Sequence, residues 1–274
     1  MATTRKTSKG KAAESKPAAT EDKAAIKRKV AALLKQAEDS AVTPEEAQAF
    51  AAKAAELLAR YSLDAAALRE EKGQRPEPIS THVFTVSGQG CHGKARTILH
   101  RFVIDAVGGK HIAQGDDMTT KDRLVTAVGT ASMIDTLKTL LPWVMAQAES
   151  AARLATPLYV AQADTDHLTT ANKNILRRDY FRSFIKGYGQ GVADKILATR
   201  NDLAEEVKGS AKAVVLVRDT ERIAAEYARK FPEISQDRGS KTTVAGHAAG
   251  VRAGRAADTG QAKVTTRSRK GVGK

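Results

Sequence analysis

Residues 43–64, "TPEEAQAFAAKAAELLARYSLD", decide the class of the fold. Thr43 is a natural N-cap, Pro44 suits the first helical position, and Glu46 completes a Thr-x-x-Glu capping box. Behind that start, Ala47, Phe50, Ala51, Ala54, Leu57, Leu58 and Tyr61 recur at helical spacing and make one buried stripe. Upstream, Ile26, Val30, Leu33, Leu34 and Ala37 share one face of a first helix, from about Glu21 to Asp39. Its other side carries Lys27, Arg28 and Lys35. Two amphipathic helices joined by a short turn predict an antiparallel hairpin over 23–72. A short third helix begins near Asp64.

Outward from the hairpin the pattern changes. "EKGQRPEP", 71–78, has the composition of a linker. "ISTHVFTVSG" alternates like a strand, and "GKARTILHRFVIDAVGG" predicts a helix ended by glycine. "KHIAQG" and "DRLVTAVGT" predict two short strands with the turn "DDMTTK" between them. "ASMIDTLKTLLPWVMAQAESAARLA" is helical, with Pro142 expected to kink or break it. "TPLYVAQADTDHLTTANK" predicts loop, and "ILRRDYFRSFIKGYGQGVADKILATR" a long helix. "AVVLVRD" predicts a strand and "TERIAAEYARKF" a helix. Residues 78–235 thus read as an α+β domain with four strands, and the chain as an α+β protein with a helical hairpin module and basic tails. The tails are 1–22 and 236–274. The second is rich in Gly, Arg and Lys, with "GHAAGVRAGRAAD" still helical.

Charge is unevenly placed. The net charge is +14 over 274 residues. Residues 1–23 contribute +3, residues 236–274 contribute +7, and the stretch between them only +4. Basicity concentrated in tails points to a polyanion, nucleic acid before an anionic membrane surface. With one cysteine, Cys91, the chain has no intrachain disulfide and no multi-cysteine zinc site. No apolar run approaches the ~18 residues of a membrane span, and the N-terminal stretch lacks the apolar core of a secretory signal.

The segment "KRKVAALLKQAEDSAVTPEEAQAFAAKAAELLARYSLD" resembles the helical domain of an uncharacterised family, a domain of unknown function found in actinobacterial phages and bacteria. The shared pattern is a basic helix (Lys27–Glu38), a turn ending at Glu46–Ala47, and a helix closing in Leu57–Tyr61. The aromatic-glycine segment "YFRSFIKGYGQGVADKI", the unit "VVLVRD…EYARKFPEI" and the glycine-spaced "GHAAGVRAGRAAD" also resemble that family, so the resemblance covers roughly 26–257. It implies this two-part architecture and a cytoplasmic setting in a bacterial host cell. It brings no activity and no catalytic residue.

The candidate chemistry is sparse. His82, Cys91, His92 and His100 lie near one another in sequence, but no His-x-x-x-His or Cys-x-x-Cys spacing lets ligands converge on a metal. "GYGQG" (187–191) lies inside a helical pattern and "GVGK" (271–274) lacks the rest of a phosphate loop, so neither calls for a nucleotide, and no cofactor is expected. The glycines read better as packing devices. Gly187 and Gly191 are four apart, as are Gly246, Gly250 and Gly254, which predicts a C-terminal glycine helix docked on another helix, with 176–197 the candidate. His100 and Asp105 share a helix at a spacing that does not bring them face to face. Asp164, Asp166 and His167 share a polar loop. No catalytic constellation emerges.

The functional expectation is therefore a non-catalytic accessory protein that binds nucleic acid electrostatically. The expected contacts are Lys27, Arg28 and Lys35 on the first helix, and Arg252, Arg255, Lys263, Arg267, Arg269, Lys270 and Lys274 near the C-terminus. These segments lack aromatics, so contact should be phosphate-centred with weak sequence preference. Helix "DAAALREE" is net acidic and would repel DNA as a recognition helix, so the hairpin reads as scaffold or as a docking face for a protein partner. Two alternatives remain at this level: a protein–protein adaptor using the hairpin, and an enzyme with its site in 79–235, for which a pocket gathering His100, His111 or Asp166 would be the sign.

Overall fold

The computed structural model describes residues 66–115, 120–163, 165, 167–233 and 241–256, with helical residues at 25, 26, 28–30, 32, 33, 53, 56, 57, 60, 63 and 64. The helical residues within 25–33 are termed α1 and those within 53–71 α2. The capping box at 43–46 and the turn of the expected hairpin lie outside the described residues.

Beyond α2 the elements are β1 (Ile79–Val86), a single 3-10 turn (Gln89–Cys91), α3 (Gly93–Ala106), β2 (Lys110–Gln114), β3 (Arg123–Thr130), α4 (Ala131–Gln162), α5 (Thr170–Glu206), α6 (Ala211–Lys230) and α7 (Val244–Ala256). The fold is α+β: mostly helical, with one three-stranded antiparallel sheet in the order β1-β3-β2. β1 and β2 both pair with β3, so α3 carries the chain from one edge to the other. In register, Phe84 and Ala113 flank Val125, and His82 and His111 flank Ala127. Strand alternation puts all six on one face.

α3 and α4 pack against the sheet, and α5 packs on α3 and α4. Leu99, Val103, Ile104, Leu137, Leu141, Val144, Ile185 and Tyr188 are fully buried between them, continuous with Val125 and Ala127 of the sheet. The α4 start is fixed by Thr130, whose Oγ1 accepts the Met133 N–H (3.3 Å), and by Glu77, which accepts from the Ser132 N–H (3.0 Å) and hydroxyl (2.7 Å). These are the amides a helix leaves without internal partners. α5 starts in the same way at Thr169, which accepts from Asn172 N–H (3.3 Å).

Three expectations are corrected. The sheet has three strands, because "AVVLVRD" is not a strand but the first half of α6. Its valines suit a strand locally, but over the longer window Val215, Asp219, Ile223 and Tyr227 lie one helical face apart. Val215 and Ile223 are buried, while Val214 and Val217 are 61% and 60% exposed. A strand would have buried alternate residues, and the helical stripe decides. Second, α4 runs through Pro142 and also through Pro157. Both prolines lie on the exposed side, as do Lys138 and Arg153, whose carbonyls lose an N–H partner and can take water. Third, residues 156–162, expected as loop, complete α4, and 170–173 open α5.

The glycine expectation is met. α7 lies against α5 with Gly246, Gly250 and Gly254 all buried in the contact. A Cβ at Gly191 would lie 2.6 Å from the Val251 carbonyl oxygen, and one at Gly246 2.8 Å from that of Tyr180. Real Cβ atoms do not approach so closely, so the two backbones touch only because both helices present glycine. The N-terminal end of α7 is also tied. Ser183 Oγ accepts the Thr243 N–H (2.8 Å), and the buried Lys186 ammonium donates to the Lys241 carbonyl (2.5 Å) and Thr242 Oγ1 (2.9 Å).

Among the described residues, three ion pairs join α2 to α5 and α6: Arg60 with Glu206 (3.0 Å), Asp64 with Lys212 (2.6 Å) and Glu70 with Arg218 (2.5 Å). No described helix is long and apolar enough to cross a membrane.

Candidate functional site

Between β1 and α3 the chain reads Ser87-Gly88-Gln89-Gly90-Cys91-His92-Gly93-Lys94. Buried Arg96 organises this loop from beneath. Its Nη1 donates to the carbonyls of Ser87 and Gln89 (2.8 Å each), and its Nε donates to Glu149 of α4 (2.6 Å). Arg182 of α5 donates to the Cys91 carbonyl (2.8 Å). With the carbonyls drawn toward guanidinium groups, Cys91 is held at φ 56, an uncommon conformation for a non-glycine residue.

The sequence reading weighs two other glycine clusters and passes over this one. Gly88-x-x-x-x-Gly93-Lys94, after a strand and before a helix, has the spacing of a phosphate loop. Its chemistry is different. Ala95 stands where a metal-binding hydroxyl belongs. The Gly88 N–H donates to Asp122 (3.1 Å), that of Gln89 to Ser87 Oγ (3.2 Å), and that of Cys91 to the Gly88 carbonyl (3.0 Å). Amides turned inward cannot wrap a triphosphate, so the loop is not a nucleotide cradle.

α3 begins directly after this loop. Its N-cap, His92, makes no side-chain cap bond, and the first intrahelical bond is that of the Arg96 N–H to the His92 carbonyl (3.1 Å). The amides of Gly93, Lys94 and Ala95 precede that bond, where the helix dipole favours an anion. Arg178 and Arg182 lie within electrostatic reach of His92, as Lys94 and Arg182 do of Lys186. The field is strong enough to register on the imidazole. Burial first, then Arg182, Arg96 and Arg178, push His92 down to about 4. His92 packs on Phe181 with ring centroids 4.6 Å apart. Along the same stretch of α5, Lys173 with Arg177 and Arg178 with Arg182 form two rows at i, i+4 spacing. Arg177 and Arg178 are exposed.

Three of the sequence-predicted contacts are among the described residues. Arg28 is exposed on α1 and Arg252 on α7. Arg255 is exposed but bound to Asp194 of α5 (Nε 3.0 Å, Nη2 2.7 Å), so its charge helps to hold α7. Lys27, Lys35, Lys263, Arg267, Arg269, Lys270 and Lys274 lie outside the described residues.

The histidines serve the fold. His100 is buried with Nδ1 2.9 Å from the Arg96 carbonyl. His111 accepts from Arg101 Nε at its Nε2 (2.8 Å), which places its hydrogen on Nδ1, facing Asp105 (2.8 Å). Its carbonyl accepts from the Tyr227 hydroxyl (2.7 Å), linking β2 to α6. Asp164 and Asp166 lie outside the described residues, and His167 follows α4 in a turn. Among the described residues no group of three His, Cys, Asp or Glu side chains is placed to hold a metal ion. The cavity lined by Leu63, Ile196, Leu203 and Ile223 includes neither His100 nor His111 in its wall.

Among known proteins, residues 25–65 match a family described as a protein of unknown function, DUF2786. The match covers α1 and most of α2, the segment in which the sequence shows the capped helix. No curated protein and no solved structure matches the chain.

Proposed function

We propose that this protein binds nucleic acid through its phosphates and does not act on it chemically, as an accessory protein in a bacterial or phage-infected cell. The supporting observation is the cationic face at the α3 N-terminus. It combines the N-terminal turn of α3, whose N-cap His92 makes no side-chain cap bond, with Arg182, which holds the Cys91 carbonyl and lies 3.6 Å from Asp179, and with the exposed Arg177 and Arg178 on the same helix. Fixed amides and guanidinium groups suit the shape and charge of a phosphodiester. The basic arms add to that contact: Lys27, Arg28 and Lys35 in the N-terminal segment, and Arg252, Lys263, Arg267, Arg269, Lys270 and Lys274 in the C-terminal one. Arg255 is a weaker contributor, because Asp194 already neutralises it.

Each phosphate neutralised releases counterions, so affinity should fall steeply with salt. The test of the folded face is Arg177→Glu with Arg178→Glu in the full chain. Both side chains are exposed, so folding should be kept. A mixed-sequence duplex should bind more weakly, with the salt slope shallower by about 1 for each phosphate that is no longer neutralised. An unchanged slope would remove the face from the account.

A further inference from the structure

A cavity of about 150 Å³ lies between α2, the start of α4, the C-terminal part of α5 and α6. Leu63, Val107, Ile196, Leu203, Val215 and Ile223 supply much of its wall. An apolar space of ~150 Å³ is large enough for one benzene-sized molecule.

Four charged side chains reach this wall. Three are acids, and each is already engaged. Glu56 bonds Lys53 (2.9 Å) and Arg60 (3.0 Å), Asp219 bonds Arg222 (2.8 Å), and Glu77 caps α4 through Ser132. The hydroxyls of Thr136 and Thr220 donate to carbonyls of their own helices. The fourth charged group is Arg200, which has no carboxylate partner among the described residues. Its guanidinium lies against Gly108, just past the last residue of α3. A Cβ there would come within 2.5 Å of Cζ, and Gly108 itself has φ +92. Only glycine both adopts that backbone and leaves room for the guanidinium. Burial pushes Arg200 below its ordinary range, with no neighbouring acid to offset it. Arg200 is partly buried, and a partly desolvated cation without an anion is disfavoured, a cost that a ligand supplying the anion would relieve. The C-terminal dipole of α3 compensates only a fraction of a charge.

We propose that this cavity binds a small aromatic or short branched monocarboxylate, with its carboxylate paired to Arg200 and its apolar body against Leu203, Val215 and Ile223. The site is separate from the cationic face and does not depend on the nucleic-acid reading. Its wall joins α2, in the family-matched segment, to α5 and α6, so an occupant would brace the helical module against the α+β domain.

Benzoate is the probe, titrated calorimetrically and by thermal melting into the full chain. Benzyl alcohol (the same body without charge) and formate (the charge without a body) are the comparisons. Benzoate should saturate with a Kd on the order of 1 mM or tighter, the range open to a ligand of this size, and raise the Tm. Formate should do neither. Arg200→Gln should weaken benzoate at least about tenfold and leave benzyl alcohol unchanged, because a carboxylate loses its charge-assisted bonds and an alcohol does not. Arg200→Lys keeps charge but loses the fork, and should fall between the two. The absence of benzoate saturation in the unmodified chain would overturn the proposal. So would equal effects of formate and benzoate, or benzoate binding that is indifferent to both substitutions.

Discussion

Gly250 of α7 rests directly on the Phe184 carbonyl of α5, with no space between them for even a methyl group. The contact repeats one turn along, where Gly254 meets the Tyr188 carbonyl. Two helices are joined by backbone, so the C-terminal basic region begins on a rigid part of the fold.

This contact fixes the sign of a simple substitution. Gly→Ala inside a helix ordinarily stabilises by ~1 kcal/mol through propensity. Gly250→Ala should destabilise by about 1–3 kcal/mol because the helices must part, and Gly250→Leu by more. Urea denaturation measures both. A stabilised Gly250→Ala variant would mean that α7 does not pack on α5 in this way.

Arg96 carries a second stability prediction. Its removal takes a donor from two loop carbonyls and from Glu149, which keeps only the exposed Arg153 (3.1 Å), and leaving buried acceptors unmet costs about 1–3 kcal/mol. Arg96→Met should therefore lose stability of that order in urea melts. Arg96→Lys should not restore it, since an ammonium cannot reach the Ser87 and Gln89 carbonyls and Glu149 together.

The imidazole of His92 makes stability depend on pH. Its folded pKa, about 4, lies below the ordinary 6.5, so between those values the unfolded chain binds more protons than the folded one. This contribution is fully present above about 6.5 and is lost as the pH falls toward 4. His82, His100 and His247 are also lowered by burial and add in the same direction. A melting series should show Tm falling on acidification through this window, with a smaller fall in His92→Gln. An NMR titration that finds His92 protonated near 6.5 would contradict the cationic surroundings assigned to it.

On α6, Val214→Lys and Val217→Lys should each change stability by no more than about 0.5 kcal/mol, because both side chains face solvent. Val215→Ala should cost about 1–3 kcal/mol, from the general cost of burying a side chain of this size. Had 213–219 been a strand, Val215 and Val217 would share one face and both substitutions would be severe.

Long-range periodicity was the legible part of this chain. The stripe of Tyr180, Phe184 and Tyr188, the glycine-terminated α3 and the paired strands β2 and β3 all follow from patterns that tertiary contact reinforces. Short windows misled: Val214–Val217 favour a strand by shape, and only Ile223 and Tyr227 further along reveal the helix. Pro142 does not break α4 because Lys138, whose carbonyl it leaves without an N–H partner, lies on the exposed side. The glycine docking was legible because close approach leaves a spacing of four in both helices. The cationic face was half-legible. The Gly88–Lys94 spacing was in plain view, but Arg178 and Arg182 come from a different helix about 90 residues away, and only the fold brings them to His92. Arg200 gave no signal, since the lack of a partner is a property of three-dimensional space.

The most direct test of nucleic-acid binding is fluorescence anisotropy of labelled mixed-sequence DNA and RNA, single- and double-stranded, at several salt concentrations. The full chain is compared with a chain lacking 1–22 and 257–274, a cut that retains α7 and its contact with α5. The account predicts binding by the full chain with a steep salt dependence. The shortened chain should bind more weakly and with a shallower slope, retaining the contribution of the α3–α5 face. No binding by the full chain at low salt, or binding insensitive to salt, would contradict it.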